Sequence, residues 1–130
     1  MRTVASSYGH GQTLEQLLEA ISRRGLTVFA QIDHAAAARE AGLELADEVV
    51  VLFGNPNAGT PLMQQDPRIG IELPLRVLVW NDGDQTIVGY QDPRDLSRNY
   101  EVAAEAARLT AMSSLLDEIV HEAAADADLS

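Results

Sequence analysis

The spacing of apolar residues changes along the chain, and each change predicts an element. RTVAS, residues 2–6, reads as a short strand, and SYGHG as a polar turn. Leu14, Leu17, Leu18 and Ile21 then recur at helical spacing and define one apolar stripe. Thr13 stands three residues before Gln16, the spacing of a capping box, which predicts the helix start there. Arg23 and Arg24 suit the negative end of the helix dipole, and Gly25 its left-handed stop. LTVFAQI, residues 26–32, alternates: Val28, Ala30 and Ile32 fall on one face, Thr27, Phe29 and Gln31 on the other. Asp33 is placed to cap a short alanine-rich helix that Gly42 closes.

EVVVLF (48–53) is apolar on both faces after its first residue, which predicts a strand inside the sheet, and LRVLVW (75–80) reads as a second buried strand. Asp82-Gly83 supplies a hairpin turn, and QTIVGYQ returns as the partner of the second strand. Asp92 caps a further helical turn with Pro93 at its first position. Residues 101–123 form the longest predicted helix, with Val102, Ala106, Leu109, Met112, Leu116, Ile119 and Ala123 toward the core. Residues 124–130 are expected to fray. No linker or repeat divides the chain, so residues 1–130 read as one domain. The order of strand, helix, strand, helix, strand, hairpin and long helix predicts an α+β fold with a mainly antiparallel sheet.

Composition narrows the function. The formal charge is −11, and all nine basic residues are arginine. Such a surface repels phosphate backbones and anionic lipid, so neither nucleic acid nor membrane is an expected partner. The absence of cysteine removes disulfides, thiolate metal sites and thiol nucleophiles. Apolar runs are strand-sized, so a soluble, cytoplasmic protein is the expectation.

VVVLFGNPNAGTPLM, residues 49–63, has the skeleton of a nucleotide phosphate loop: strand, glycine, four residues, glycine, helix. Thr60 occupies the lysine position and Pro61 the hydroxyl position. Triphosphate chemistry therefore fails for want of a cation and a magnesium ligand. The bland reading is a turn, with Thr60 as helix N-cap and Pro61 as first helical residue. The functional reading is a small polar or anionic ligand held at backbone donors of a helix start, with Asn55, Asn57, Gly59 and Thr60 as contacts.

Asp33-His34 pairs a carboxylate with an imidazole. As an acid/base pair it makes a small enzyme the alternative, with donors of the 54–60 loop stabilising negative charge. The bland reading gives Asp33 a capping role and His34 a surface one. Glu118-x-x-His121 lacks the second copy that a di-metal bundle needs, and His10 stands alone in a turn. Neither metal nor cofactor is implied. Trp80, Tyr90, Tyr100 and Phe53 read as core, or as the lining of a pocket or an interface, and Met63 and Met112 as packing.

The runs LTVFAQIDHAAAAREAGLEL, VVVLFGNPNAGTPLMQ and GIELPLRVLVW together resemble the family called domain of unknown function 302. The resemblance covers most of the chain. It implies a curved, mainly antiparallel sheet carrying helices, similar in outline to a TATA-binding-protein half-domain, and a homodimer. It implies no reaction, cofactor or catalytic residue. The leading expectation is thus a non-catalytic ligand-binding module; a purely structural or assembly protein is a further alternative.

Overall fold

The computed structural model describes residues 1–125. Strands β1 (Arg2–Ala5), β2 (Thr27–Asp33), β3 (Glu48–Gly54), β4 (Leu75–Asp82) and β5 (Gln85–Tyr90) form one open sheet in the order β1-β5-β4-β3-β2. Every neighbouring pair is antiparallel. Helices α1 (His10–Arg23), α2 (His34–Glu40), α3 (Pro56–Gln65) and α4 (Ala106–Ala124) complete the α+β architecture, with 3-10 helices at Pro67–Glu72, Pro93–Arg98 and Ala103–Glu105.

Alternation along the central strands places Val49, Val51 and Phe53 of β3, Val77 and Val79 of β4, and Val88 and Tyr90 of β5 on one buried face. Helix α1 lays Leu17, Ala20 and Ile21 against that face, and α4 adds Leu116, Ile119, Val120 and Ala123. Each large side chain buried this way contributes roughly 1.5–3 kcal/mol before entropy is counted. A second apolar cluster joins Leu62, Ile69, Val102, Leu109 and Met112 under the loops that follow α3.

Helices α1 and α4 cover one face. Val50, Leu52, Leu78 and Trp80 alternate with the core residues, stand on the other face and are half-buried. Strands β3 and β4 are interior by pairing, as their apolar runs predict. The double-sided apolar pattern nevertheless does not mean that two layers of helix cover them.

Five local expectations are corrected. Helix α1 begins at His10, not at Thr13, because the Thr13 hydroxyl donates back to the Gly9 carbonyl at 2.8 Å from inside the helix. The Ser6 hydroxyl lies 2.6 Å from it, so the buried Thr13 is fully engaged. His10 is the first helical residue rather than a turn residue, and its Nε2 sits 3.1 Å from the Val79 carbonyl, tying α1 to β4. Helix α4 starts only at Ala106, after a 3-10 turn, and Ala106 is exposed. Ala124 is helical and buried rather than frayed, whereas residues 126–130 of the expected tail lie outside the described residues. Finally, β2 does not alternate strictly: Val28 pairs Phe53 and Ala30 pairs Leu52, so Phe29 is an extra residue in a bulge.

Candidate functional site

The segment after β3 folds differently from a turn that Thr60 caps. Asn55 is the N-cap, and its Oδ1 accepts from the Asn57 amide at 2.9 Å. Pro56 takes the first helical position. The Ala58 and Gly59 amides both donate to the Asn55 carbonyl, at 2.9 and 3.2 Å. Thr60 is therefore inside α3 and is not its cap, and Pro61 is an interior proline. Asn55-Pro56 carries the same cap-plus-proline signal as Thr60-Pro61, one turn earlier.

This geometry decides what the helix start can hold. The amides of residues 57–59 are engaged by Asn55, so those three are not available to an anion. Beside them, however, lies a hollow of about 300 Å³. It opens at the seam between the two apolar clusters. Leu26, Leu75 and Leu115 come from the sheet side, and Ala58, Leu73 and Met112 from the satellite side. Among the described residues none that lines it is charged, and Asn55 and Thr60 give it polar side chains.

Three glycines border this hollow: Gly54, Gly59 and Gly70. None has the positive φ that only glycine adopts readily; among the glycines, only Gly25, Gly42 and Gly83 do. Their value here is the missing side chain. A Cβ on Gly59 would sit 3.5 Å from Leu73 Cδ1, and one on Gly54 3.7 Å from Pro74 Cβ, both ordinary contacts. Glycine inside a helix costs about 0.5–1 kcal/mol relative to alanine. Gly59 incurs that cost at a place where a methyl group would fit.

The Asp33-His34 pair is elsewhere. Asp33 Oδ1 accepts from the Ala36 amide at 2.8 Å, so it is a helix cap. His34 is exposed at the far end of the β2–β3 pair, because Thr27 is opposite Gly54 while Asp33 is opposite Val49. Six residues of strand at about 3.3 Å each separate it from the loop by roughly 20 Å. His34 and the 54–60 loop thus cannot act on one substrate, and that form of the acid/base reading is corrected. Glu118 and His121 also diverge: Glu118 Oε2 lies 3.6 Å from Arg24, and His121 Nδ1 lies 2.8 Å from the Asp117 carbonyl.

Sequence reasoning missed Phe29, Met63, Met112 and Leu73 as hollow-lining residues. The methionines were far apart in the chain and read as packing. The available signal was glycine spacing: Gly54, Gly59 and Gly70 bracket three prolines, Pro56, Pro61 and Pro67.

The model of the family described as Domain of unknown function DUF302 matches residues 2–122. The solved structure of an uncharacterized conserved DUF302 protein from Bacillus stearothermophilus superposes with a TM-score of 0.85 at 22% identity. The match covers 94% of this chain and 96% of that one, and shows a shared fold. Two proteins named Fluoride-specific ion channel FluC 1, from Brucella suis biovar 1 and Brucella abortus biovar 1, are 38% identical over 101 residues. That is 77% of this chain but only 40% and 37% of theirs, so the chain spans about two fifths of these relatives. Among the described residues no helix is long and apolar enough to cross a membrane.

Proposed function

The chain belongs to this DUF302 family, and from the geometry of its hollow we propose that it is a non-catalytic module that binds a small molecule beside the Gly54–Thr60 segment. One observation carries the reading: a hollow of about 300 Å³ bordered by three glycines whose backbones do not need to be glycine. That volume is at the lower end of small-molecule sites. Asn55, Gly59 and Thr60 remain contacts; Asn57 does not line the hollow. The lining favours an apolar body over the polar or anionic ligand that the loop sequence suggests, since the amides of residues 57–59 are engaged. Channel activity belongs to the longer Brucella proteins and is not carried over.

A thermal-shift screen of fragments against wild type, Gly59→Ala and Gly59→Leu tests it. Gly59→Ala is expected to be about 0.5–1 kcal/mol more stable than wild type, showing that the site tolerates a side chain. Gly59→Leu is expected to fold and to lose the stabilisation that hits give wild type. Equal shifts in wild type and Gly59→Leu would place the ligand elsewhere and end the proposal.

A second reading concerns partners. We propose that two copies of the chain pair through the uncovered sheet face. Ile32, Val50, Leu52, Leu78 and Trp80 make its apolar centre, with Glu48 and Arg76 near opposite ends of β3 and β4. A two-fold axis lying in the sheet plane, across the strands, brings Arg76 of each copy over Trp80 and Glu48 of the other. The charges on this face are thus self-complementary. Five strands at about 4.8 Å spacing and about 20 Å length give a flat footprint of roughly 500 Å². Side-chain relief raises the accessible area toward the ~800 Å² per partner of a stable dimer.

A further inference from the structure

The chemistry of the hollow's wall goes further than its existence and, resting on the binding-module reading, names a ligand class. We infer that the ligand is an uncharged, flat aromatic molecule of about two fused rings carrying one hydrogen-bonding group. At about 30 Å³ per water-sized unit, the space admits about ten such units. Among the described residues no arginine, aspartate or glutamate lines the hollow, so an ionised ligand would lose its hydration without gaining a partner.

Three side chains favour a π system over an aliphatic body. Met63 and Met112 face the space from α3 and α4, and thioethers make favourable contacts with aromatic rings. Phe29 faces it from the edge strand. It is the extra residue of the β2 bulge, and it is 54% exposed. Bulges re-aim side chains. Here the bulge brings the ring over Gly54, where a Cβ would lie 4.0 Å from Phe29 Cε2. A phenyl ring left half in solvent at the mouth of an apolar hollow is positioned to cover a flat guest. Asn55 uses its Oδ1 on Asn57 and keeps its Nδ2 donor, and Thr60 adds a hydroxyl, so a single polar substituent has a partner at the rim.

The methionines provide the test. The chain has three, and Met1 lies on the opposite face, its Sδ about 3.0 Å from where a Gly89 Cβ would stand beside Trp80. With methionine methyl groups labelled with carbon-13, three probes of similar size are titrated: 2-naphthol, decahydro-2-naphthol and 2-naphthoate. The expected result is that 2-naphthol moves the Met63 and Met112 signals and leaves Met1 unmoved. The saturated alcohol and the carboxylate are each expected to bind at least several-fold more weakly. Phe29→Leu is expected to weaken 2-naphthol by about threefold to tenfold, the range for loss of one aromatic pair. Equal binding of decahydro-2-naphthol would overturn the aromatic class while leaving the binding module standing. Equal or tighter binding of 2-naphthoate would overturn the uncharged class. A shift at Met1 alone, or no shift with any probe, would overturn the inference. The Gly59→Leu arm of the fragment screen then decides the wider reading separately.

Discussion

Two aspartates show how single residues shape the chain around the site. Asp66-Pro67-Arg68 and Asp92-Pro93-Arg94 share one sequence and one device. Each aspartate caps a 3-10 helix, accepts from the arginine amide two residues on, and pairs with that arginine's side chain. Asp66 is buried and also accepts from the Glu101 amide at 3.0 Å, fastening the approach to α4. The Arg68 hydrogen bonds, followed by the Glu101 amide, hold its carboxyl well below the usual aspartate range. Asp66→Asn is expected to lower the melting temperature measurably at pH 7, whereas Asp95→Asn, at an exposed i,i+3 pair with Arg98, is expected to change it little. Equal melting temperatures for the two variants would show that Asp66 does not hold the segment.

Helix α3 carries a local conflict that the rest of the fold relieves. Pro61 lacks the amide that would bond the Asn57 carbonyl, and Arg108 Nη1 of α4 approaches that carbonyl at 3.5 Å instead. Pro61→Ala is expected to stabilise the protein by about 1 kcal/mol, less than the ~3 kcal/mol interior penalty because the wild-type neighbours have adapted. Arg108→Ala is expected to be destabilising in wild type and close to neutral in Pro61→Ala, a coupling that denaturant melts of the four proteins measure. At the other end of α4, Glu122 joins α1 to α4 by accepting from Arg24 Nη2 at 2.6 Å and Arg23 Nη2 at 2.8 Å. Hydrogen bonding from Arg24, with Arg23 adding to it, lowers the Glu122 carboxyl from 4.5 to about 2. A lowered folded value means the stabilisation is complete above pH 4.5 and disappears as pH falls toward about 2. Glu122 is 39% exposed, so solvent and salt reduce the effect. Glu122→Gln is accordingly expected to lower the melting temperature at pH 6 in low salt and to leave it unchanged at pH 2.

Elements of this kind were legible in the sequence to the extent that local chemistry fixes them. The Leu14–Ile21 stripe, the Asp33 cap, the Gly42 stop and the Gly83 turn all read correctly, because each depends on neighbours within one or two turns. Thr13 and Thr60 misled for one shared reason. Each has the chemistry of a cap, but the helix starts earlier: Gly9 takes the cap position of α1 and its carbonyl accepts from the Thr13 amide, and Asn55 caps α3 with its own side chain. The bulge at Phe29 and the meeting of Met63 with Met112 depend on pairings between distant segments, which no local pattern encodes.

At the scale of the whole molecule, the unresolved balance is between charge and exposed apolar area. A chain of charge −11 repels its own copies, yet it leaves Val28 and Phe29 exposed on the edge strand β2, Leu43 and Leu45 exposed in the connection before β3, and an apolar sheet face open. The face carries both signs of charge, Glu48 and Arg76, around a half-buried tryptophan. The proposed pairing through the face would cover apolar area and bring Arg76, which pairs with Glu72 in its own chain at 3.4 Å, near Glu48 of the other copy. Because the long-range repulsion is screened and the contact is largely apolar, raising salt from 50 to 500 mM should strengthen the dimer in sedimentation velocity. Leu78→Glu adds a like charge at the centre of the interface and should shift the protein to monomer with its circular-dichroism spectrum unchanged. Leu43→Glu, off the face, should not. The hollow beside Gly59 lies on the side of the helices, so ligand binding should survive Leu78→Glu. A Leu78→Glu variant that remains dimeric, or a Leu43→Glu that dissociates, would move the contact away from the sheet face.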